Sequence, residues 1–287
     1  MLAITITTDS SADLPLWVRE EFGGIHYMHI PVLLEGKSGR DGLDMFAQDI
    51  FEAFTARGAM PKTAAPSPDE YQAFFEQFTA QGSAVVHISV NSKFSSCYDF
   101  ACRGAQQAQG EVYVADSRNF CIGQGMLCIQ ACLLREQGMA AADIAAQLEQ
   151  DRARVKTSYY LHGLDFVAKS GRCPAIVALG AAWLNLHPAV SVNGATGELV
   201  IGKKYRGNHA PELWLRDSVK KFDAECSKDI CLFGCTPDIP AEKWQPMESL
   251  AHELLGGFVR LRTAAESGCV VVSHVGGNCY VMAGMQK

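Results

Sequence analysis

The sequence predicts an α/β protein in two parts: an N-terminal domain on a parallel sheet, residues 1–157, and a C-terminal α+β domain, residues 158–287. Three observations predict it. Through the first half, short β-branched runs alternate with helix-length segments, the pattern of parallel strands joined by crossover helices. After about Thr157 the β-like pieces shorten and hairpin-type turn residues gather between them. No internal repeat and no low-complexity linker separates the halves, so they are expected to pack closely, with a short segment near 62–72 reaching the second domain.

Element by element, Ala3 to Thr7 alternates and is β-branched, a first strand. Asp9-Ser10-Ser11-Ala12-Asp13-Leu14-Pro15 follows, with capping residues ahead of a proline suited to a first helical turn. Ile25–Leu34 is a second apolar run, and Phe46, Ile50, Phe51 and Phe54 carry helical spacing. Ala84–Ser89 and Val112–Ala115 read as strands, with a helix at Tyr98–Ala108 between them. Asn119–Leu134 and Ala140–Val155 read as two further helices. In the second half, strands are expected at Ala189–Asn193, Leu199–Gly202, Ile230–Cys235 and Cys269–His274, and helices at Pro211–Cys226 and Pro246–Ala265. Polar loops leave the first-half strands at Asp9–Ser11, Ser89–Ser96 and Asp116-Ser117. In parallel sheets that carboxyl edge is where ligands bind.

Composition narrows the function. Lysine plus arginine number 25 and aspartate plus glutamate 31, a formal net charge of −6, which argues against a nucleic-acid surface. The 11 cysteines are odd in number and none stands in Cys-x-x-Cys spacing. Cys128/Cys132 and Cys231/Cys235 lack a second ligand pair nearby, so buried thiols in a reduced cytoplasm are expected rather than a metal site or disulfide framework. The N-terminus has no basic region before Asp9, unlike a signal peptide. Cys173–Gly197 carries no charge but contains Pro174, Asn185, His187 and Pro188, so it reads as a buried segment and not a membrane span.

Familiar catalytic motifs fail. Asp9 has Ser11 where a phosphoryl-transfer pair would place a second aspartate, so capping the next helix is the favoured role. Gly123-Gln-Gly125 lacks the third glycine of a dinucleotide loop, and neither a P-loop nor a Gly-x-Ser-x-Gly elbow occurs. What remains is a set of hydroxyl-rich segments: Lys62–Pro68, Asn91–Tyr98 and Ser273-His274-Val275-Gly276-Gly277. Neutral hydroxyls do no acid–base work alone, but they bind a carboxylate well.

Taken in order, Asp9-Ser-Ser-Ala-Asp-Leu14, Lys62-Thr-Ala-Ala-Pro-Ser67, Ser95, Asp116-Ser117, Leu164–Arg172, Leu184-Asn-Leu-His-Pro188, Lys204-Tyr-Arg-Gly207 and His274-Val-Gly276 resemble the DegV family over nearly the whole chain. That family supplies fatty-acid-binding subunits of bacterial fatty acid kinase. The resemblance implies an α/β domain joined to an α+β domain with a long-chain fatty acid buried in a tunnel. It implies a cytoplasmic carrier, not itself an enzyme, with no cofactor besides the lipid. The carrier presents the carboxylate to a separate ATP-dependent kinase, which makes acyl phosphate for phospholipid synthesis. It also implies that Thr63 and Ser95 hold the carboxylate and that His274 belongs to the same hydrogen-bonding network. Arg172, Arg206 and Ser96 fall in the head-group vicinity or at the partner contact. Ser96 and Cys97 stand where the family has Gly-Thr, and Ser170-Gly-Arg172 where it has Gly-Gly-Arg.

The residues themselves suit this reading. Asn119–Leu134 and Cys173–Gly197 offer apolar wall, Thr63 and Ser95 offer donors, and Arg172, Arg206 and His274 offer positive potential. The alternative is a lipid esterase with Ser95 as nucleophile and His274 as base. It lacks an elbow and an identifiable carboxylate to orient the histidine.

Overall fold

The computed structural model describes residues 2–172, 186–258, 260–264 and 267–287. β1 (Ala3–Asp9) is the β-branched run at the N-terminus, its last four residues buried. A 3-10 turn at Ser10–Ala12 and the short α1 (Leu16–Glu21) lead to β2 (Ile25–Met28), parallel to β1. β3 (Pro31–Leu34) and β4 (Lys37–Arg40) form an antiparallel hairpin. After α2 (Ala47–Arg57), the two-residue β5 (Lys62–Thr63) joins that hairpin beside β3. α3 (Pro68–Thr79), β6 (Ser83–Ser89), α4 (Cys97–Gln107) and β7 (Val112–Asp116) follow. They complete a four-stranded parallel sheet of order β2-β1-β6-β7, the sheet the alternating pattern predicts.

α5 (Cys121–Glu136) and α6 (Ala141–Asp151) lead into the second sheet. Its elements are β8 (Val155–Tyr160), α7 (Asp165–Ser170), β9 (His187–Asn193), β10 (Glu198–Tyr205), α8 (Ala210–Glu225), β11 (Cys226–Cys235), α9 (Ala241–Leu254), β12 (Arg260–Ala264), α10 (Cys269–Val275) and β13 (Tyr280–Gln286). The strands form one six-stranded sheet, β10-β9-β8-β13-β11-β12, antiparallel except for β11 with β12. α5 is apolar almost all round because it packs against both sheets. Its Gly125 lies so close to the chain after β1 that an added Cβ would stand 2.7 Å from Leu14 Cδ2. The glycines that fail the dinucleotide pattern therefore serve close packing.

Four expectations are corrected. Cys269–Val275 is a helix, not a strand, despite its β-branched run. Its first amides are captured by two buried carboxylates: Gly268 N donates to Asp13 Oδ1 at 2.9 Å and Cys269 N to Asp41 Oδ1 at 2.7 Å. That starts a helical turn which strand propensity alone would not. The helix placed at Pro246–Ala265 begins earlier, at Ala241, and ends at Leu254. Gly256-Gly257 breaks it, and Arg260–Ala264 pairs as β12. The helix ending expected at Val155 stops at Asp151, and β8 starts at Val155. Finally, Asp9 makes no side-chain cap. Its carboxylate accepts from Tyr71 Oη at 2.5 Å, Ser89 Oγ at 2.8 Å and Val90 N at 2.8 Å.

In the supposed buried segment Cys173–Gly197, residues 173–185 lie outside the described residues. In the rest, β9 alternates buried with half-buried positions, and its turn exposes Asn193, Ala195 and Thr196. The ten described cysteines are all free thiols, buried apart from Cys102. No helix of the described residues is long and apolar enough to cross a membrane.

Candidate ligand site

A cavity of about 520 Å³ opens beside the carboxyl edge of the parallel sheet. Ser11 after β1, and Val90 and Ser92 to Ser96 after β6, line it, as that edge predicts. Its apolar wall is shared between the two halves of the chain. Phe94 meets Phe120 edge-on with centroids 5.9 Å apart, and Phe120 stacks on Tyr159 at 4.6 Å. Leu161, Val190 and Leu199 from the second sheet, and Val270, Val271 and Val275 of α10, continue that wall. The loop after β6 is tied to the β9–β10 hairpin, since Asn91 Nδ2 donates to Gly197 O at 2.8 Å and Lys93 Nζ meets Glu198 Oε1 at 2.9 Å.

Polar groups reach the same space from four segments. Thr63, on the short β5, and His274, in the last turn of α10, are joined by a 2.9 Å hydrogen bond between Oγ1 and Nε2. They are 211 positions apart in sequence. Burial first, and the nearby Arg172 charge second, lower the His274 pKa to about 4, so the imidazole is neutral at pH 7. Its Nδ1 is buried and has no hydrogen-bond partner among the described residues. Arg172 is exposed at the cavity wall, where its Nη1 donates to Ser170 O at 2.6 Å.

Ser95 and Ser96 face the cavity at the start of α4. Ser95 Oγ accepts from Cys97 N at 3.2 Å and donates to Cys97 Sγ at 3.0 Å. Ser96 occupies φ −80°, ψ 2°, a conformation open to any L-residue, so a serine there strains nothing. Asp99, one turn along α4, also lines the cavity, and the sequence reading missed it. The available signal was Ser96-x-x-Asp99, the spacing of a capping box.

The structure thus brings Thr63, Ser95, Ser96, Arg172 and His274 to one cavity. Arg206 is not among them: it is exposed in the turn between β10 and α8. Ser95 and His274 do not form a nucleophile–base pair, since the imidazole bonds to Thr63 and the Ser95 proton goes to sulfur. A histidine with a pKa near 4 is also a weak base.

The fold and site define a class: an α/β protein with a parallel sheet, a six-stranded sheet and a small third one, enclosing an amphiphilic cavity at the edge of the parallel sheet. The chain belongs to the DegV family, whose model, described as "Uncharacterised protein, DegV family", matches residues 3–279. A DegV domain-containing protein of Caldanaerobacter subterraneus subsp. tengcongensis is 28% identical over 280 residues, covering 96% of each chain. One from Clostridium acetobutylicum is equally similar, at 28% over 280 residues and 96% of each. Among solved structures, a fatty-acid-binding DegV family protein of Thermus thermophilus superposes with a TM-score of 0.85 at 26% identity, covering 100% of both chains. A stearic-acid-binding protein of Eubacterium ventriosum reaches 0.87 at 21% identity, over 99% of this chain and 98% of that one, and supports the fold.

Proposed function

We propose that this chain binds a long-chain fatty acid in the cavity and presents its carboxylate to a separate ATP-dependent fatty acid kinase. One observation carries the first half: an apolar cavity that also holds the linked hydroxyl and imidazole of Thr63 and His274 and the hydroxyl of Ser95. At roughly 30 Å³ for a water-sized group, 520 Å³ holds on the order of seventeen such groups, room for a long acyl chain. The Thermus thermophilus relative, named for fatty acid binding, supports the same ligand.

In this reading the acyl tail lies along Phe94, Phe120 and Tyr159, and Thr63 and Ser95 donate to the carboxylate. His274 supports Thr63 and acts as no catalytic base. Arg172 at the cavity wall and the exposed Arg206 face the kinase, whose acyl phosphate product would feed phospholipid synthesis in the cytoplasm. We read the two sheets as the two domains expected at 1–157 and 158–287, with the Thr63 segment reaching into the second. The kinase partnership rests on the family resemblance, and the carrier needs no other cofactor. Mass spectrometry of protein purified without denaturation tests the first half: co-purified free fatty acid is expected, and a covalent acyl-serine would overturn it.

A further inference from the structure

Behind Ser95 lies a buried set of polar groups that the proposed binding reaction does not itself use. Asp9, Tyr71 and Cys97 are buried, and Tyr71 Oη donates its one proton to Asp9 Oδ1 at 2.5 Å. Burial pushes the Asp9 carboxyl up, but His87, Tyr71 and Val90 together bring it below its ordinary value, so it is an anion. Burial, then the Asp9 charge, hold the Cys97 thiol up at about 12, so its proton is present. Ser95 Oγ donates to the Cys97 sulfur at 3.0 Å. The Ser95 hydroxyl proton is thus held on sulfur.

We propose that Cys97 is a positioning residue that sets fatty acid affinity by holding the Ser95 hydroxyl proton on a weak acceptor, from which an arriving carboxylate takes it. Sulfur accepts hydrogen bonds weakly, so turning the hydroxyl into the cavity loses little. An oxygen at position 97 would keep the proton. The inference rests on the fatty acid reading above and adds a determinant of affinity outside the cavity wall.

The test is palmitate binding by titration for the wild type, C97S, C97A, S95A and the S95A/C97S double variant. C97S is expected to bind about three- to tenfold more weakly, the net worth of one hydrogen bond, while C97A binds as tightly as the wild type or more tightly. The C97S effect should vanish when Ser95 is already alanine. A packing role predicts the opposite order, because alanine leaves a cavity and serine nearly fills it. C97A weaker than C97S, C97S equal to wild type, or a C97S effect that persists without Ser95 would each overturn the proposal. If C97A does not fold, the S95A cycle decides. A wild type that binds no palmitate removes the fatty acid reading itself.

Discussion

Protonation of His274 should be visible as a pH-dependent loss of stability. In the folded, lipid-free protein its pKa lies at about 4, lowered by burial and by Arg172, against about 6.5 for an unfolded histidine. A depressed folded pKa means that the unfolded chain binds the proton first as pH falls. The stabilisation is therefore complete above about pH 6.5 and is lost progressively as pH drops towards 4. At 1.36 kcal/mol per pKa unit, the full loss is on the order of 3 kcal/mol, a sizeable part of a domain's stability. Urea denaturation of delipidated wild type and H274Q between pH 7.5 and 4.5 measures it, because glutamine keeps a donor but cannot titrate. The wild type should lose stability faster than H274Q across that window, and bound fatty acid should narrow the gap, since an anion beside the ring favours its charged form. Parallel curves for the two proteins would refute the buried, neutral histidine.

Replacing Thr63 and Ser95 together with alanine should weaken fatty acid binding by about 1–3 kcal/mol for each lost bond to the carboxylate; a displacement titration with unchanged affinity would show that the head group sits elsewhere. Arg206→Ala should leave lipid binding intact and slow acyl phosphate formation with the kinase, and equal loss of both would contradict separate roles. Gly125→Ala should cost about 1–3 kcal/mol by overpacking, because its methyl group would stand 2.7 Å from Leu14 Cδ2 and 3.1 Å from Ala12 O. Thermal denaturation would show that loss, and an unshifted melting temperature would mean that the helix moves aside freely.

The parallel sheet was legible because its strands are β-branched and its crossovers have helix length. β13 was not, because it is buried on both faces and so shows no alternation. Thr63, Ser95 and His274 were legible only through the order of weak motifs along the chain. No local pattern links residues as far apart as Thr63 and His274, which tertiary structure alone brings together. Asp99 was hidden for another reason: it reads as an ordinary first-turn helix residue until the cavity is seen. Arg206 shows the converse, a recognisable motif residue whose loop carries it away from the cavity.

The misread strand at Cys269–Val275 matters most, because geometry at its end depends on its conformation. Five residue steps separate Cys269 from His274; as a strand they would span roughly 17 Å, as a helix roughly 8 Å. The shorter reach is the one that joins a start fixed on Asp41 to an end at Thr63. Both anchoring carboxylates come from the first half of the chain. Burial raises the pKa of each, most of all that of Asp13, which also feels the Asp41 charge. Ser10 Oγ holds Asp41 from the turn that follows β1. The Asp-Ser-Ser segment that looked like a helix cap thus fixes, through Asp41 and α10, where the imidazole stands in the cavity. A weak motif near the N-terminus and another near the C-terminus are parts of one construction, and that is why their joint order carried information that neither motif carried alone.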